Sequence, residues 1–242
     1  NRVAEEYGQM IATNPCGEQP LLGNESCNLG SINLANFYRK VNSCDASGFI
    51  SSEQSLSEWE KHIDWSRLDK VVNIATNFLD NVIDANYYAT SEIERMTKAT
   101  RKIGIGIMGF ADLLIQLRIP YNSNKAQDIA KTIMQRITQS ADEASLELAV
   151  KRGPFPAWEN SSFNSVTEIY RNACRMTVAP TGTISMLADC SSGIEPTFAL
   201  AWRKQNILKE ATGMGQTLVY TNPYFEREAI NRDFYSENLM EY

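Results

Sequence analysis

Hydrophobic residues recur at three- and four-residue spacing between residues 65 and 86, where Leu68, Val71, Val72, Ala75, Phe78, Leu79, Val82 and Ile83 share one face. That period predicts a helix with this face buried. A second amphipathic helix is predicted over residues 124–151, ended by Gly153-Pro154-Phe155-Pro156, and a shorter one over Phe110–Leu117, stopped by Pro120. Arg101–Ile107 is short, β-branched and punctuated by glycine, as a buried strand is, and Arg175–Ala179 reads as another strand. Residues 1–13 are polar and read as the end of a helix. Asn28–Phe37 carries Leu29, Ile32, Leu34 and Phe37 in an apolar segment whose type the pattern leaves open. Residues 42–57, rich in Ser, Asp and Gly, read as a surface excursion, and the last residues as a starting helix. Strands alternating with long helices predict an α/β fold with largely parallel strands. No internal repeat or linker divides the chain, so residues 1–242 are treated as one region.

Composition narrows the function classes. The 242 residues carry a net charge of -6, which argues against a polymeric nucleic acid as partner. A nucleotide handled here is expected to be a small molecule. No apolar run of about 18 residues occurs, so no membrane span is expected. Nor does the N-terminus read as a signal peptide, and both ends read as cut. Five cysteines at wide spacing, without Cys-x-x-Cys, fit neither a secreted disulfide framework nor a zinc site, and no metal site is expected. His62, the single histidine, lies in what reads as an ordinary exposed stretch.

Chemistry concentrates first at Asn14-Pro15-Cys16-Gly17-Glu18, a carboxamide, a thiol and a carboxylate within five residues. If this segment is extended, alternation aims residues 14, 16 and 18 the same way, so one substrate meets an amide, a reactive sulfur and a general base. A buried cysteine in a turn, with Asn14 and Glu18 capping local backbone groups, is the competing reading. The second constellation is Pro180-Thr181-Gly182-Thr183-Ile184-Ser185, after a strand candidate. Small and hydroxylated residues there offer N–H and O–H donors to a phosphate, although a plain helix cap uses the same residue types. Gly104, Gly106 and Gly109 match the dinucleotide-binding Gly-x-Gly-x-x-Gly pattern. The acidic residue such a unit needs about 20 residues on is missing, since Asp128 falls in a helical stretch; close backbone packing explains these glycines better.

The wider wording is specific. Asn-Pro-Cys-Gly-Glu at 14–18 is followed eleven residues after its cysteine by Cys27-Asn28-Leu29-Gly30-Ser31-Ile32-Asn33-Leu34. Residues 179–196 read Ala-Pro-Thr-Gly-Thr-Ile-Ser-Met-Leu-Ala-Asp-Cys-Ser-Ser-Gly-Ile-Glu-Pro. The first block resembles the finger loop and adjoining strand of ribonucleotide reductase catalytic subunits, and the second their substrate-phosphate segment. Both are most similar to the class II, adenosylcobalamin-dependent branch. Weaker similarity, including Arg101–Gly109, fills the gap, so the resemblance spans nearly the whole chain.

That resemblance implies the second half of a ten-stranded α/β barrel with a central finger loop. It implies radical reduction of ribonucleotides, expected as diphosphates, to 2′-deoxyribonucleotides in the cytoplasm, with adenosylcobalamin as cofactor. The cysteine matching Cys16 becomes a thiyl radical; Glu18 acts as base towards the 3′ hydroxyl; Asn14 binds ribose hydroxyls; Cys27 is one half of a redox dithiol. Asn14, Gly17, Thr181, Gly182, Thr183, Ile184 and Ser185 are the expected substrate contacts. Cys27's partner and a terminal cysteine pair, which takes electrons from a thioredoxin-type reductant, are expected outside this chain, and the full protein is a candidate homodimer. Cys44, Cys174 and Cys190 match no redox position and read as structural. The alternatives are a class I subunit, whose radical comes from a metalloprotein partner, and an inactive reductase-like module.

Overall fold

The computed structural model describes Val3 and residues 7–40, 56–164, 169–207 and 216–241. Cys44 and most of the polar excursion at 42–57 lie outside these residues. The chain opens with a hairpin, β1 (Met10–Thr13) antiparallel to β2 (Pro20–Leu22), followed by β3 (Asn28–Asn33) and a 3-10 turn over Leu34–Phe37. Of residues 1–13, which read as the end of a helix, Met10–Thr13 form a strand instead, and residues 1, 2 and 4–6 lie outside the described ones. β1 is exposed at all four positions and is held by its ladder with β2, so it carries no burial pattern to betray it. Helices α1 (Leu56–Glu60), α2 (Trp65–Ala85) and α3 (Ser91–Thr100) lead to β4 (Ile103–Met108).

β3 and β4 pair in parallel, Asn28 opposite Ile103 through Asn33 opposite Met108. On the far side of β4, the Ile103 N–H donates to Cys174 O at 3.0 Å and Ile105 N–H to Arg175 O at 2.7 Å, while Thr177 N–H returns to Ile105 O at 3.0 Å. In place of the predicted strand at Arg175–Ala179 there is a single parallel bridge, Met176 to Ile105, with its flanking hydrogen bonds between Cys174 and Thr177. Parallel neighbours require helical crossovers. They are α2 and α3 between β3 and β4, then α4 (Phe110–Leu117) and α5 (Asn124–Arg152) after β4.

β4 explains how the core and the site are divided. Ile103, Ile105 and Ile107 alternate with Gly104 and Gly106, and alternation sends them to opposite faces. The isoleucines, all at most 1% exposed, join Leu68, Val72, Leu79 and Ile83 of α2 and Ile129, Ile133 and Ile137 of α5 in one core. A Cβ on Gly104 would lie 2.5 Å from Leu29 Cδ2 and from Thr177 Cγ2, and one on Gly106 would collide with Thr177 O. The glycines let the Cys174–Thr177 segment approach β4. That is the close packing expected of them, although the partners are neighbouring strands more than a helix.

Not all of α2's predicted face is buried. Phe78 is 64% exposed and Ile74, one turn before it, 56%; Phe78 lines a groove beside Leu29 and Ile32 of β3. Asp64 caps α2 by accepting Arg67 N–H at 3.1 Å, and Ser123 caps α5 through Ala126 N–H at 3.2 Å. After the one-turn helix α6 (Ile184–Leu187) come an antiparallel hairpin, β5 (Ala201–Ile207) with β6 (Gln216–Thr221), and helices α7 (Pro223–Asn231) and α8 (Glu237–Glu241). The two hairpins qualify the expectation of largely parallel strands, which holds for β3, β4 and the 174–177 segment.

Candidate active site

The loop between β1 and β2 is a turn, not an extended segment, so strand alternation does not align residues 14, 16 and 18. Gly17 N–H donates to Asn14 O at 3.0 Å, with Gly17 at φ +83°, a conformation glycine adopts without strain. Asn14 N–H donates to Gln19 O at 3.2 Å, and Gln19 N–H to Asn14 Oδ1 at 3.0 Å, closing the loop at its base. The competing sequence reading is thereby half right. The oxygen of Asn14, a half-buried residue, is a local cap. Cys16 stands exposed at the tip. Glu18 is half-buried, and its Oε2 is enclosed with no hydrogen-bond partner among the described residues. An unpaired buried carboxylate oxygen is costly unless a ligand donates to it.

Two anchors hold this loop against the sheet. Thr177 Oγ1 donates to Glu18 O at 3.0 Å, using the space that Gly104 and Gly106 leave open. Glu25 and Lys102 form the other. Glu25 Oε2 accepts Leu22 N–H at 2.7 Å and Lys102 Nζ at 2.8 Å, and its Oε1 accepts Thr100 Oγ1 at 2.6 Å. Lys102 Nζ also donates to Pro20 O at 3.2 Å. Cys27 sits just before β3 and is half-buried. Burial pushes its thiol far above the usual range, helped by Cys174, Glu25 and Glu18 and opposed by the Lys102 ammonium. Glu18 of the loop therefore shares one electrostatic neighbourhood with Cys27, and the structure brings the two halves of the first motif together.

The second motif starts three residues beyond Thr177. Thr181 has φ +56°, and its buried hydroxyl accepts Gly193 N–H at 2.7 Å. Ser185, also buried, shares a 2.9 Å hydrogen bond with Ser192. These two hydroxyls tie the loop to the turn at 191–193, leaving Pro180, Gly182, Thr183 and Ile184 as its exposed positions. Within the loop the Ser185 N–H turns back to Thr181 O at 2.9 Å, and Thr183 is the N-cap of the one-turn helix α6. Asp112, buried in the first turn of α4, accepts Ser191 N–H at 2.5 Å and Asn222 Nδ2 at 2.8 Å, fixing the turn from behind. A cavity of about 430 Å³ opens beside the loop, lined in part by Gly182, Ser185, Cys190, Thr197 and Asn222.

Other candidates fall away. His62 is buried, not exposed: its ring stacks on Tyr38 at 5.8 Å and its Nδ1 lies 3.3 Å from Arg39 O, far in sequence from either motif. Among the described residues no group of three His, Cys, Asp or Glu could hold a metal ion. No helix among them is long and apolar enough to cross a membrane. Four residues that serve the site escaped sequence reasoning: Glu25, Lys102, Asp112 and Thr177. The one available signal was Arg101-Lys102 directly before an apolar strand, a cation where burial was expected.

A parallel sheet whose inner, glycine-lined face carries a thiol-tipped loop defines the class. The chain belongs to the family described as "Ribonucleotide reductase, barrel domain", whose model matches residues 1–170 and 167–242. It is 46% identical over 98% of its length to the vitamin B12-dependent ribonucleoside-diphosphate reductase of Thermoplasma acidophilum, and 44% identical over 96% to that of Mycobacterium tuberculosis (strain CDC 1551). It spans only 28% and 30% of those relatives. In fold it is similar to the class Id ribonucleotide reductase alpha subunit of Actinobacillus ureae, with a TM-score of 0.65 at 21% identity, covering 97% of this chain and 38% of that one.

Proposed function

We propose that the protein containing this chain reduces ribonucleoside diphosphates to 2′-deoxyribonucleotides by a radical mechanism initiated from Cys16. The observation that carries this reading is the loop itself: an exposed thiol two residues from a carboxylate whose inner oxygen has no partner among the described residues. A thiyl radical at Cys16 takes a hydrogen atom from the ribose 3′ carbon, a reversible step because S–H and activated C–H bonds have similar strengths. Glu18 Oε2 accepts the proton of the 3′ hydroxyl, while Asn14 Nδ2 donates to ribose oxygens and holds the sugar over the loop tip. Cys27, kept protonated by burial, delivers a proton and, with a partner thiol, the two electrons that replace the 2′ hydroxyl; the pair ends as a disulfide. The phosphates lie on the exposed backbone of Gly182, Thr183 and Ile184, with Thr181 and Ser185 shaping the loop from inside.

The relatives from Thermoplasma acidophilum and Mycobacterium tuberculosis are named vitamin B12-dependent, and an exposed Cys16 suits attack by a group bound outside the loop. We therefore take adenosylcobalamin as cofactor; when bound, it supplies the one-electron oxidation of the Cys16 thiol. A thioredoxin-type dithiol as final reductant, a homodimeric full protein and a cytoplasmic location complete the proposal. The test is reduction of CDP by the full-length protein with dithiothreitol, with and without adenosylcobalamin. Turnover that requires the cobalamin and disappears in Cys16→Ser is expected. Turnover that instead needs a metalloprotein partner transfers the radical source to that partner. Retention of activity in Cys16→Ser overturns the reading.

A further inference from the structure

The parallel register sets Asn28 opposite Ile103, so the residues just before them, Cys27 and Lys102, enter the sheet side by side. Lys102 is an odd residue to place there. Its side chain is 4% exposed and that of its partner Glu25 is 0% exposed, so both charges have left water. Buried ion pairs commonly add little stability over an apolar pair of the same volume, because desolvation offsets their attraction. Stability alone therefore gives little reason for this pair. Glu25 has both oxygens engaged, by Leu22 N–H, Thr100 Oγ1 and Lys102 Nζ. The ammonium uses one hydrogen on Glu25 and one on Pro20 O, and a third remains.

We infer that Lys102 is a positioning residue for the redox chemistry of Cys27, a fixed cation that steadies the loop at Pro20 and receives the negative charge of the Cys27 thiolate. This rests on Cys27 being half of the dithiol proposed above. After turnover, a thiolate of an external dithiol attacks the partner sulfur of the Cys27 disulfide. The bond to that sulfur forms, the S–S bond breaks, and its electron pair leaves on Cys27 as thiolate, which then takes a proton from water. Leaving thiolates depart faster when stabilised. Around Cys27, burial, Cys174, Glu25 and Glu18 all resist that charge, and Lys102 supports it more strongly than Glu25 opposes it.

The experiment measures alkylation of Cys27 by iodoacetamide in the reduced full-length protein, followed by peptide mass spectrometry from about pH 7 to about pH 10, where the thiolate is the reacting form. It compares wild type, Lys102→Met and the charge-balanced double variant Glu25→Gln/Lys102→Met. Loss of the cation makes the thiol a weaker acid and lowers the thiolate fraction, while the greater nucleophilicity of the more basic sulfur returns part of the lost rate. The net expectation is a slowing of about threefold or more in Lys102→Met, with the pH profile displaced upward and the double variant between it and wild type. A merely structural Lys102 predicts the opposite sign, since a loosened loop exposes Cys27 and speeds labelling. Labelling in the double variant at or above the wild-type rate overturns the inference. None of these rates depends on turnover, so they stand or fall separately from the Cys16→Ser assay.

Discussion

At the scale of single residues, the most exacting position is Gly106. A side chain there meets the carbonyl oxygen of Thr177, part of a backbone that is itself paired to β4 through Ile105. Neither strand can retreat without breaking that pairing. Gly106→Ala is expected to cost about 1–3 kcal/mol, the range for overpacking a tight interior. Displacing Thr177 also loosens its hydrogen bond to Glu18 O, so kcat falls more than KM rises. Urea titration alongside steady-state kinetics of the full-length protein checks both parts; an unchanged midpoint with unchanged kcat rejects the argument.

At the scale of elements, Asp80 of α2 joins four pieces of chain. Fully buried, it accepts Arg101 Nε at 2.9 Å and Asn172 Nδ2 at 3.0 Å, and it is bonded by Arg152 at 3.1 Å and by Arg171 at 3.4 Å. These cations come from the α3–β4 junction, the end of α5 and the segment entering the Cys174–Thr177 pairing. Asp80→Ala leaves the buried Arg101 short of a counter-ion and is expected to destabilise by about 3–5 kcal/mol, seen as a lowered denaturation midpoint. None of this could be read from the chain. Periodicity revealed α2, α4, α5 and β4 because each buries a repeating apolar face, and Asp80 looks like one more polar position on α2. The same limit hid β1, which is exposed throughout, and α3, whose buried face includes Thr97 and Thr100. The two motifs were legible because their residue order is specific. Their supports were not, since Lys102 meets Glu25 and Thr177 meets Glu18 only through strand register, a long-range property.

At the scale of the whole molecule, the described sheet ends at β3, whose second edge has no strand partner among the described residues. Beside that edge, Leu29, Ile32, Val71, Ala75, Phe78 and Met108 line an apolar groove. The curated relatives are more than three times as long as this chain. An uncovered groove of this kind attracts apolar ligands and other copies. The 242-residue chain alone is expected to bind the hydrophobic dye ANS, and Phe78→Ser to reduce that binding markedly. Equal dye fluorescence in both would show that the groove is closed by the chain itself.

The burial of Glu25 and Lys102 has a consequence for the medium in which such a protein can work. Mobile ions screen charges that face solvent over a Debye length of about 10 Å at 0.1 M salt, but they reach a desolvated pair far less. The loop that carries Cys16 is held by such a pair and by a hydroxyl on a backbone oxygen. Its shape is thus insulated from ionic strength, while the exposed donors at Gly182–Ile184 that would meet charged phosphates are not. Salt should act on how readily a phosphate docks, and leave the geometry around the Cys16 sulfur alone.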